Sequence, residues 1–219
     1  MQDYVVTEID KDVITHFALF ADCDPTNFES AVKEAKWKKA MDAEIEAIER
    51  NDTWELTDLP EGHKAIGVKW AFKTKLKENG EVDKHKARLV DKGYKQEYGV
   101  DYIEVFAPVA RYDTIRLVVA LAVQNSWYIF QLDVKSAFLH GNLEEEVYVE
   151  QPPGYIKIDN ENKVYKLKKA LCGLRQAPRA WYSRIEAYFL KTGFQKCPYE
   201  HTLFVKLRDG GKMLIVCLC

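Results

Sequence analysis

The sequence predicts an α+β fold in which an antiparallel sheet carries helices on one face. Two patterns favour this class. Apolar and basic side chains alternate along residues 66–77, as in a strand with one buried face, and Asn79-Gly80 then predicts a hairpin turn. Apolar residues recur at helical spacing between residues 26 and 50 and again between 178 and 193.

The helical segments have recognisable starts. Thr26 with Glu29 predicts a capping box. The two apolar stripes of the helix that follows face nearly opposite ways, so the helix either breaks near Lys36 or is covered on both sides. Asp113 or Thr114 is expected to cap a second helix. The residues expected to face the core are Ile115, Val118, Val119 and Ala122 in the second helix and Trp181, Ile185, Tyr188 and Phe189 in the third.

The apolar stretch 127–132 predicts an inner strand that ends in the carboxylate of Asp133. Ser136 and Gly141 then predict a tight turn or short helix around Phe138. A carboxylate at the end of a buried strand is costly without a partner, and a metal ion is the usual partner. The alternative is an Asp that caps the following turn. Shorter strands are predicted at 54–59, 147–150, 163–167, 203–206 and 213–218.

Length and composition limit the kinds of protein that this sequence can form. With 219 residues, 47% of them hydrophobic, the chain can bury one sizeable core or a core and a small lobe. There is no apolar run of membrane-spanning length and no signal-peptide pattern, so we expect an intracellular protein. The five cysteines lack paired metal-ligand spacing, which predicts free thiols.

The net charge of −2 conceals a segregation of charge along the chain. Residues 1–62 contain 16 acidic and 6 basic residues, whereas residues 64–95 contain 10 basic and 4 acidic ones. Residues 163–184 contain 7 basic residues and no acidic one. Segregated positive charge predicts a polyanionic partner, and a merely solvated basic face is the alternative.

Five motifs, taken together and in order, identify a family resemblance. They are KARLVDKGYKQ (86–96), GVDYIEVFAPVAR (99–111), QLDVKSAFLHG (131–141), VYVEQPPGY (147–155) and LKKALCGLRQAPRAWY (167–182). From about Phe17 to Cys219, the chain resembles the reverse transcriptase of copia-type LTR retrotransposons, which is part of a Pol polyprotein.

The resemblance implies a polymerase palm that performs two-metal nucleotidyl transfer. It implies that Asp133 bridges two Mg²⁺ ions and that the backbone carbonyl of Val134 supplies another oxygen. Phe138 would lie under the sugar and reject a 2′-hydroxyl, with core packing as the alternative. Gln176 is expected to contact the nucleotide, and Arg179 is expected to face the template.

The resemblance also implies that the hairpin is the fingers element that holds an RNA or DNA template-primer and deoxynucleoside triphosphates. Lys73, Lys75 and Arg88 are the expected phosphate contacts, because ammonium and guanidinium groups suit phosphate oxygens. A soluble sheet edge is the alternative for any one of them. The implied division is an N-terminal arm (1–23), an N-terminal helix with fingers (24–112) and a partial palm (113–219).

The sequence departs from the family in three respects. Cys172 stands where Tyr is usual, and Asp91 and Val105 stand where small or Thr residues are common. The family's other catalytic carboxylates lie in a Tyr-Val-Asp-Asp turn, whereas this chain stops at Cys219, the position of the Tyr. We therefore expect a C-terminally truncated domain that does not polymerise DNA. The alternative is a non-enzymatic retroelement remnant with at most weak nucleic-acid binding; a general basic binding module would not explain residues 131–141.

Overall fold

The structure, a computed structural model, describes residues 24–207, 210 and 213–218. Its α-helices are α1 (Phe28–Ala31), α2 (Ala35–Arg50), α3 (Tyr112–Gln124) and α4 (Ala177–Lys191). Its strands are β1 (Trp54–Thr57), β2 (Val68–Leu76), β3 (Val82–Asp91), β4 (Tyr148–Val149), β5 (Val164–Leu167), β6 (Gln195–Lys196), β7 (Leu203–Leu207) and β8 (Met213–Cys217). None of the helices described is both long and apolar enough to cross a membrane.

The strands form three small sheets. Their strand orders are β1-β5-β4, β2-β3 and β6-β7-β8, and the first and third are antiparallel throughout. The mixed helix and antiparallel-sheet class is therefore confirmed. The palm-like sheet with a separate fingers hairpin stays a prediction, and within the described residues the inner strand expected at 127–132 is not formed.

Contacts between residues divide the chain into two compact units. One contains Lys69–Leu89 together with the described residues up to Glu46, and the other contains Ala47–Val68 and the chain from Val90 onward. The division at residues 23 and 112 rests on sequence motifs and stays a prediction.

The predicted break in the N-terminal helix is confirmed, since α1 ends at Ala31 and α2 begins at Ala35. The predicted capping residue, Thr26, is wrong. Asn27 is the N-cap instead, and its side-chain oxygen accepts the backbone N–H of Ser30 at 2.9 Å. Asn27 lies one residue nearer the helix, where a short polar side chain reaches the N–H groups of the first turn.

In the first unit, α2 packs on the hairpin formed by β2 and β3. Trp37 is fully buried, and its ring lies edge-on to Phe72 at 5.4 Å and to His85 at 4.7 Å between centroids. Ala87 and Leu89 of β3 are also buried. Exposed and buried or half-buried positions alternate along β2, so the predicted hairpin with one apolar face is confirmed.

Acidic side chains accept hydrogen bonds from backbone N–H groups of the hairpin at two positions. The Asp24 carboxylate accepts the backbone N–H of Thr74 at 3.1 Å and its hydroxyl at 2.5 Å. The Glu44 carboxylate accepts the backbone N–H of Leu89, and burial, the largest influence on Glu44, raises its pKa. Strand edges with satisfied N–H groups do not recruit further strands, so the hairpin stays two-stranded at these positions.

The core of the second unit forms around β5, which pairs with β1 on one side and β4 on the other. Trp54 of β1 stacks on Tyr165 of β5 with ring centroids 4.1 Å apart. Val147, Val149 and Leu167 are fully or almost fully buried. The strands predicted at 54–59, 147–150 and 163–167 are thus confirmed with slightly shorter bounds.

The inner strand predicted at 127–132 is wrong, because this stretch has no regular secondary structure. Tyr128 is 90% exposed and Leu132 is 89% exposed. Aromatic and β-branched residues favour a strand only where a neighbour supplies hydrogen bonds and a packing face. No strand in the described chain pairs with 127–132, so the propensity is not realised.

Helix α3 also exposes much of its expected core face. It begins at Tyr112 with no side-chain cap, so the caps predicted at Asp113 and Thr114 are wrong. Of the four residues expected inward only Ala122 is buried, and Val119 is 43% exposed. The stretch that follows α3 forms no strand, and it supplies no sheet for this face to pack on.

Helix α4 packs chiefly through its first turns and its end. Ala177 and Ala180 are buried, whereas Tyr188, expected inward, is 56% exposed. Phe189 was correctly expected inward, and its ring centroid lies 5.1 Å from those of Phe194 and Phe204. The backbone of α4 at Ala180 lies close to Gly141, where an added Cβ would come within 3.0 Å of Ala180 and Trp181 backbone atoms.

Asp91, at the end of β3, is a buried carboxyl group. It is 3% exposed, and neither carboxylate oxygen has a hydrogen-bond partner among the described residues. Burial raises its pKa well above the ordinary value of 3.8. The folded chain therefore holds this proton at pH values where the unfolded chain has released it, and stability falls as the pH rises above about 4.

We predict that Asp91→Asn raises the free energy of unfolding at pH 8 by about 1–3 kcal/mol, because the buried amide is neutral without taking up a proton on folding. The variant should also flatten the decline of stability with pH, as measured by urea unfolding from pH 5 to pH 8. Asp58→Asn, at an exposed position, is the control and should leave the profile unchanged. Equal profiles for wild type and Asp91→Asn would contradict the prediction.

Candidate functional site

The outward face of the β2-β3 hairpin is a cluster of cations. Lys73, Lys75 and Arg88 are exposed, and none forms an ion pair with another described residue. Lys86 lies half-buried among them. Burial, followed by the charge of Arg88, lowers the pKa of Lys86, and nearby Glu44 only partly opposes this. A lysine that loses protons more readily beside other cations marks a region of positive potential.

The second basic stretch, residues 163–184, is different because acidic side chains pair with three of its seven basic residues. These acids come from the turn before β1, from β1 itself and from the loop that precedes β4, so they lie far away in sequence. The ion pairs are Lys166 with Glu146 at 2.5 Å, Lys168 with Asp52 at 3.0 Å and with Glu55 at 3.2 Å, and Arg179 with Glu145 at 3.9 Å.

Asp133 lies in the irregular stretch after α3, and its side chain is exposed. Val134, the expected carbonyl ligand, is 44% exposed. The short helix predicted after Asp133 is confirmed as a 3-10 helix, Ala137–His140, preceded by Ser136 in the left-handed backbone region. Phe138 lies in this 3-10 helix and is half-buried.

The described residues do not by themselves make up a magnesium site. Asp133 and the Val134 carbonyl would offer two oxygen ligands, whereas Mg²⁺ requires a near-octahedral set of six, filled partly by water and substrate. Within residues 24–207, 210 and 213–218, no three His, Cys, Asp or Glu side chains lie close enough to hold a metal ion. We therefore assign no catalytic step to a metal ion in this structure.

Gln176, expected at the nucleotide, is buried with both ends of its amide bonded. It is 1% exposed, its oxygen accepts from the Gln96 side-chain amide at 2.9 Å, and its nitrogen donates to the Asp101 carbonyl at 2.8 Å. The Gln96 oxygen in turn accepts the backbone N–H of Arg175 at 2.8 Å. Sequence reasoning missed Gln96, since nothing in the spacing of the two glutamines indicates that they meet.

Two segments, 90–96 and 171–176, lie against each other backbone to backbone, and we call this contact the seam. The Asp91 N–H donates to the Cys172 carbonyl at 2.8 Å, and the Arg175 side chain donates to the Gly93 carbonyl at 3.0 Å. A Cβ on Gly93 would lie well under 3.0 Å from the Gly173 carbonyl oxygen, so only glycine fits there.

Arg179 lines a cavity of about 440 Å³ together with His63, segment 99–104 and residues 144–146. The Glu145 side chain, which pairs with Arg179, is only 10% exposed. Glu104, Glu144 and Glu146 line the same cavity. These carboxylates give the cavity an acidic lining, which opposes a phosphate more than one arginine attracts it.

A protein-family comparison matches residues 51–219 to the family described as reverse transcriptase (RNA-dependent DNA polymerase). No solved structure matches the chain.

Three curated relatives show how far the similarity extends. The chain is 45% identical over 202 residues to the retrovirus-related Pol polyprotein from transposon RE1 of Arabidopsis thaliana, covering 92% of this chain and 14% of the relative. It is 41% identical over 188 residues to the corresponding polyprotein from transposon TNT 1-94 of Nicotiana tabacum, covering 81% and 14%. It is 30% identical over 160 residues to the truncated transposon Ty1-A Gag-Pol polyprotein of Saccharomyces cerevisiae, covering 73% and 13%.

The chain thus spans about a seventh of the length of these two plant polyproteins, 14% in each case. The similarity nevertheless covers most of the chain itself, in the region where the sequence motifs lie. The chain belongs to the reverse transcriptase (RNA-dependent DNA polymerase) family, as a domain of the kind found in copia-type retrotransposon Pol polyproteins.

Proposed function

We propose that the chain supplies the template- and nucleotide-binding part of an RNA-directed DNA polymerase. In this proposal residues 24–112 carry the fingers, with the β2-β3 hairpin as the gripping element, and residues 113–219 form part of the palm. The observation that carries the proposal is the cationic face of the hairpin. Lys73, Lys75 and Arg88 form no ion pairs with other described residues, whereas three of the seven cations in residues 163–184 do.

The proposed partners are an RNA or DNA template-primer and deoxynucleoside triphosphates, which are the general substrates of the family. Lys73, Lys75 and Arg88 would contact their phosphate oxygens. Ammonium and guanidinium groups without a carboxylate partner lose little when they exchange water for phosphate, and they release counterions from the nucleic acid.

We assign Asp133 the role of one carboxylate ligand in the metal-dependent chemistry that is general in the family. Val134 would contribute its carbonyl oxygen. Phe138 would stand beside the sugar of the nucleotide, five residues further along the chain. Because the described residues do not complete a magnesium site, the proposal for these three residues concerns binding and placement.

A second candidate function is nucleic-acid binding without polymerisation. The observation that favours it is the exposed stretch around Asp133, which forms no strand. Among the described residues, Asp133 belongs to no group of side chains that could hold a metal ion. Primer extension on a primed RNA template with Mg²⁺ separates the two candidates when the chain is extended through the Val-Asp-Asp of the turn and the following palm and thumb. Only the first candidate predicts that this extended version elongates the primer and that Asp133→Ala abolishes the activity, and neither predicts extension by the chain as given.

We predict that the chain binds a short RNA–DNA hybrid weakly and without sequence preference, and that Lys73→Glu, Lys75→Glu and Arg88→Glu together weaken this binding. The slope of log affinity against log salt should fall in magnitude by about 0.9 for each lost phosphate contact. Fluorescence anisotropy between about 50 and 200 mM salt measures both quantities.

The matched control is Lys33→Glu, Lys38→Glu and Lys39→Glu, which changes the net charge equally at exposed positions of the same unit. If the control triple weakens binding as much as the hairpin triple, net charge rather than the hairpin face governs binding. Affinity that does not vary with salt would argue against phosphate contacts altogether.

We predict that Mn²⁺, standing in for Mg²⁺, broadens the NMR signals of residues near Asp133 only at high ion concentration, and that Asp133→Asn abolishes the broadening. One carboxylate and one carbonyl hold a divalent ion weakly. Because the side chain is exposed, the substitution should change the free energy of unfolding by less than about 0.5 kcal/mol.

Glu144→Gln is the control for this measurement, since it removes another exposed carboxylate from the same unit. Broadening that survives Asp133→Asn but disappears in Glu144→Gln would assign the ion to the acidic cavity and remove Asp133 from the proposal.

A further inference from the structure

Gln96 and Gln176 form a buried pair of side-chain amides in the second unit. Gln96 is 6% exposed and Gln176 is 1% exposed, and they lie 80 residues apart in sequence. Each amide also bonds backbone from the other's segment. Gln96 accepts the N–H of Arg175, and Gln176 donates to the carbonyl of Asp101. Every heavy polar atom of the two amides therefore has a partner, as a buried polar network requires.

The pair joins the two segments where backbone contact alone does not reach. The seam holds residues 90–93 against 172–173, and the Gln176 bond to Asp101 extends the attachment a further eight residues beyond Gly93. Arg175 adds a second contact at that end, with its guanidinium 5.5 Å from the centroid of the Tyr102 ring.

We propose that Gln96 and Gln176 act together as a lock that fixes segment 93–102 to the turn 171–176. In this proposal Gln176 serves nucleotide binding as a positioning residue and does not itself touch the nucleotide. The positioning role of Gln176 rests on the proposed function, whereas the lock between the two segments does not.

The burial of Gln176 supports its positioning role. Both ends of its amide are already bonded and almost no surface remains, so contact with a ligand would break two hydrogen bonds and open a buried site. A bond made by Gln176 to a nucleotide would replace bonds that already exist and would add little affinity.

The test of the lock compares Gln96→Met, Gln176→Met and the double variant by hydrogen exchange of the backbone amides in the full chain. Methionine keeps the length of the side chain and removes the amide. Each single variant should speed exchange within 93–102 by about tenfold, as expected for a lost buried hydrogen bond. The effect of the double variant should fall short of the product of the two single effects, because the bond between Gln96 and Gln176 is already lost in each single variant.

Gln151→Met is the matched control. The Gln151 amide also bonds backbone, donating to the Asn160 and Lys163 carbonyls and accepting the N–H of Lys157 at 2.8 Å. This variant should speed exchange at 157–163 and leave 93–102 unchanged. If Gln96→Met speeds exchange uniformly along the chain, or if the two single effects multiply, the lock is refuted.

The test of positioning is the affinity of the same variants for a deoxynucleoside triphosphate in the presence of a primed RNA template. Gln96→Met should weaken nucleotide binding by the same factor as Gln176→Met, within about twofold, since both release the same turn. Loss of affinity in Gln176→Met alone would show that Gln176 contacts the nucleotide and would overturn the positioning role. If the wild type binds no nucleotide, the proposed function and the positioning role both fail, and hydrogen exchange still decides the lock.

Discussion

The backbone approach of Gly93 to Gly173 is the constraint on which the proposed nucleotide-binding region of the second unit depends. A Cβ on either residue would overlap backbone atoms of the facing segment, so the two chains approach as closely as they do only because both residues are glycine. That approach lets the Asp91 N–H reach the Cys172 carbonyl and brings Gln96 to Gln176. The turn that precedes α4 is consequently fixed by atoms about 80 residues earlier in the chain.

The close approach of the two glycines also accounts for the burial of Asp91. Close packing at Gly173 surrounds the end of β3, and Asp91 is buried there without a hydrogen-bond partner among the described residues. The stretch 127–134 has no comparable neighbour, and it lacks regular structure although its residues favour a strand. The two segments of the seam obtain backbone hydrogen bonds from each other, whereas no strand of the described chain pairs with 127–132.

Sequence reasoning predicted the local features and missed those that depend on distant partners. The hairpin of β2 and β3 was predictable because alternation and Asn79-Gly80 are local signals, and the break before Ala35 was predictable from two opposed stripes. The failed strand at 127–132 needed knowledge of its neighbours. The neutralised charge of Lys166 and Lys168 needed the positions of Glu146 and Asp52, and the burial of Gln176 needed Gln96. The family motifs predicted the family, which the family match confirms, but not which motif residues would be buried.

The most direct test of the seam compares Gly173→Ala with Gly99→Ala by urea unfolding. Both glycines have left-handed backbone angles, with φ of +100° and +81°, but a Cβ on Gly99 would meet nothing within 4 Å. The strain of a positive φ alone costs about 1–2 kcal/mol, so Gly99→Ala should lose about that much stability. Gly173→Ala should lose at least about 3 kcal/mol, because it adds the overlap with the facing backbone. Equal losses in the two variants would contradict the claim that close contact across the seam holds this part of the fold together.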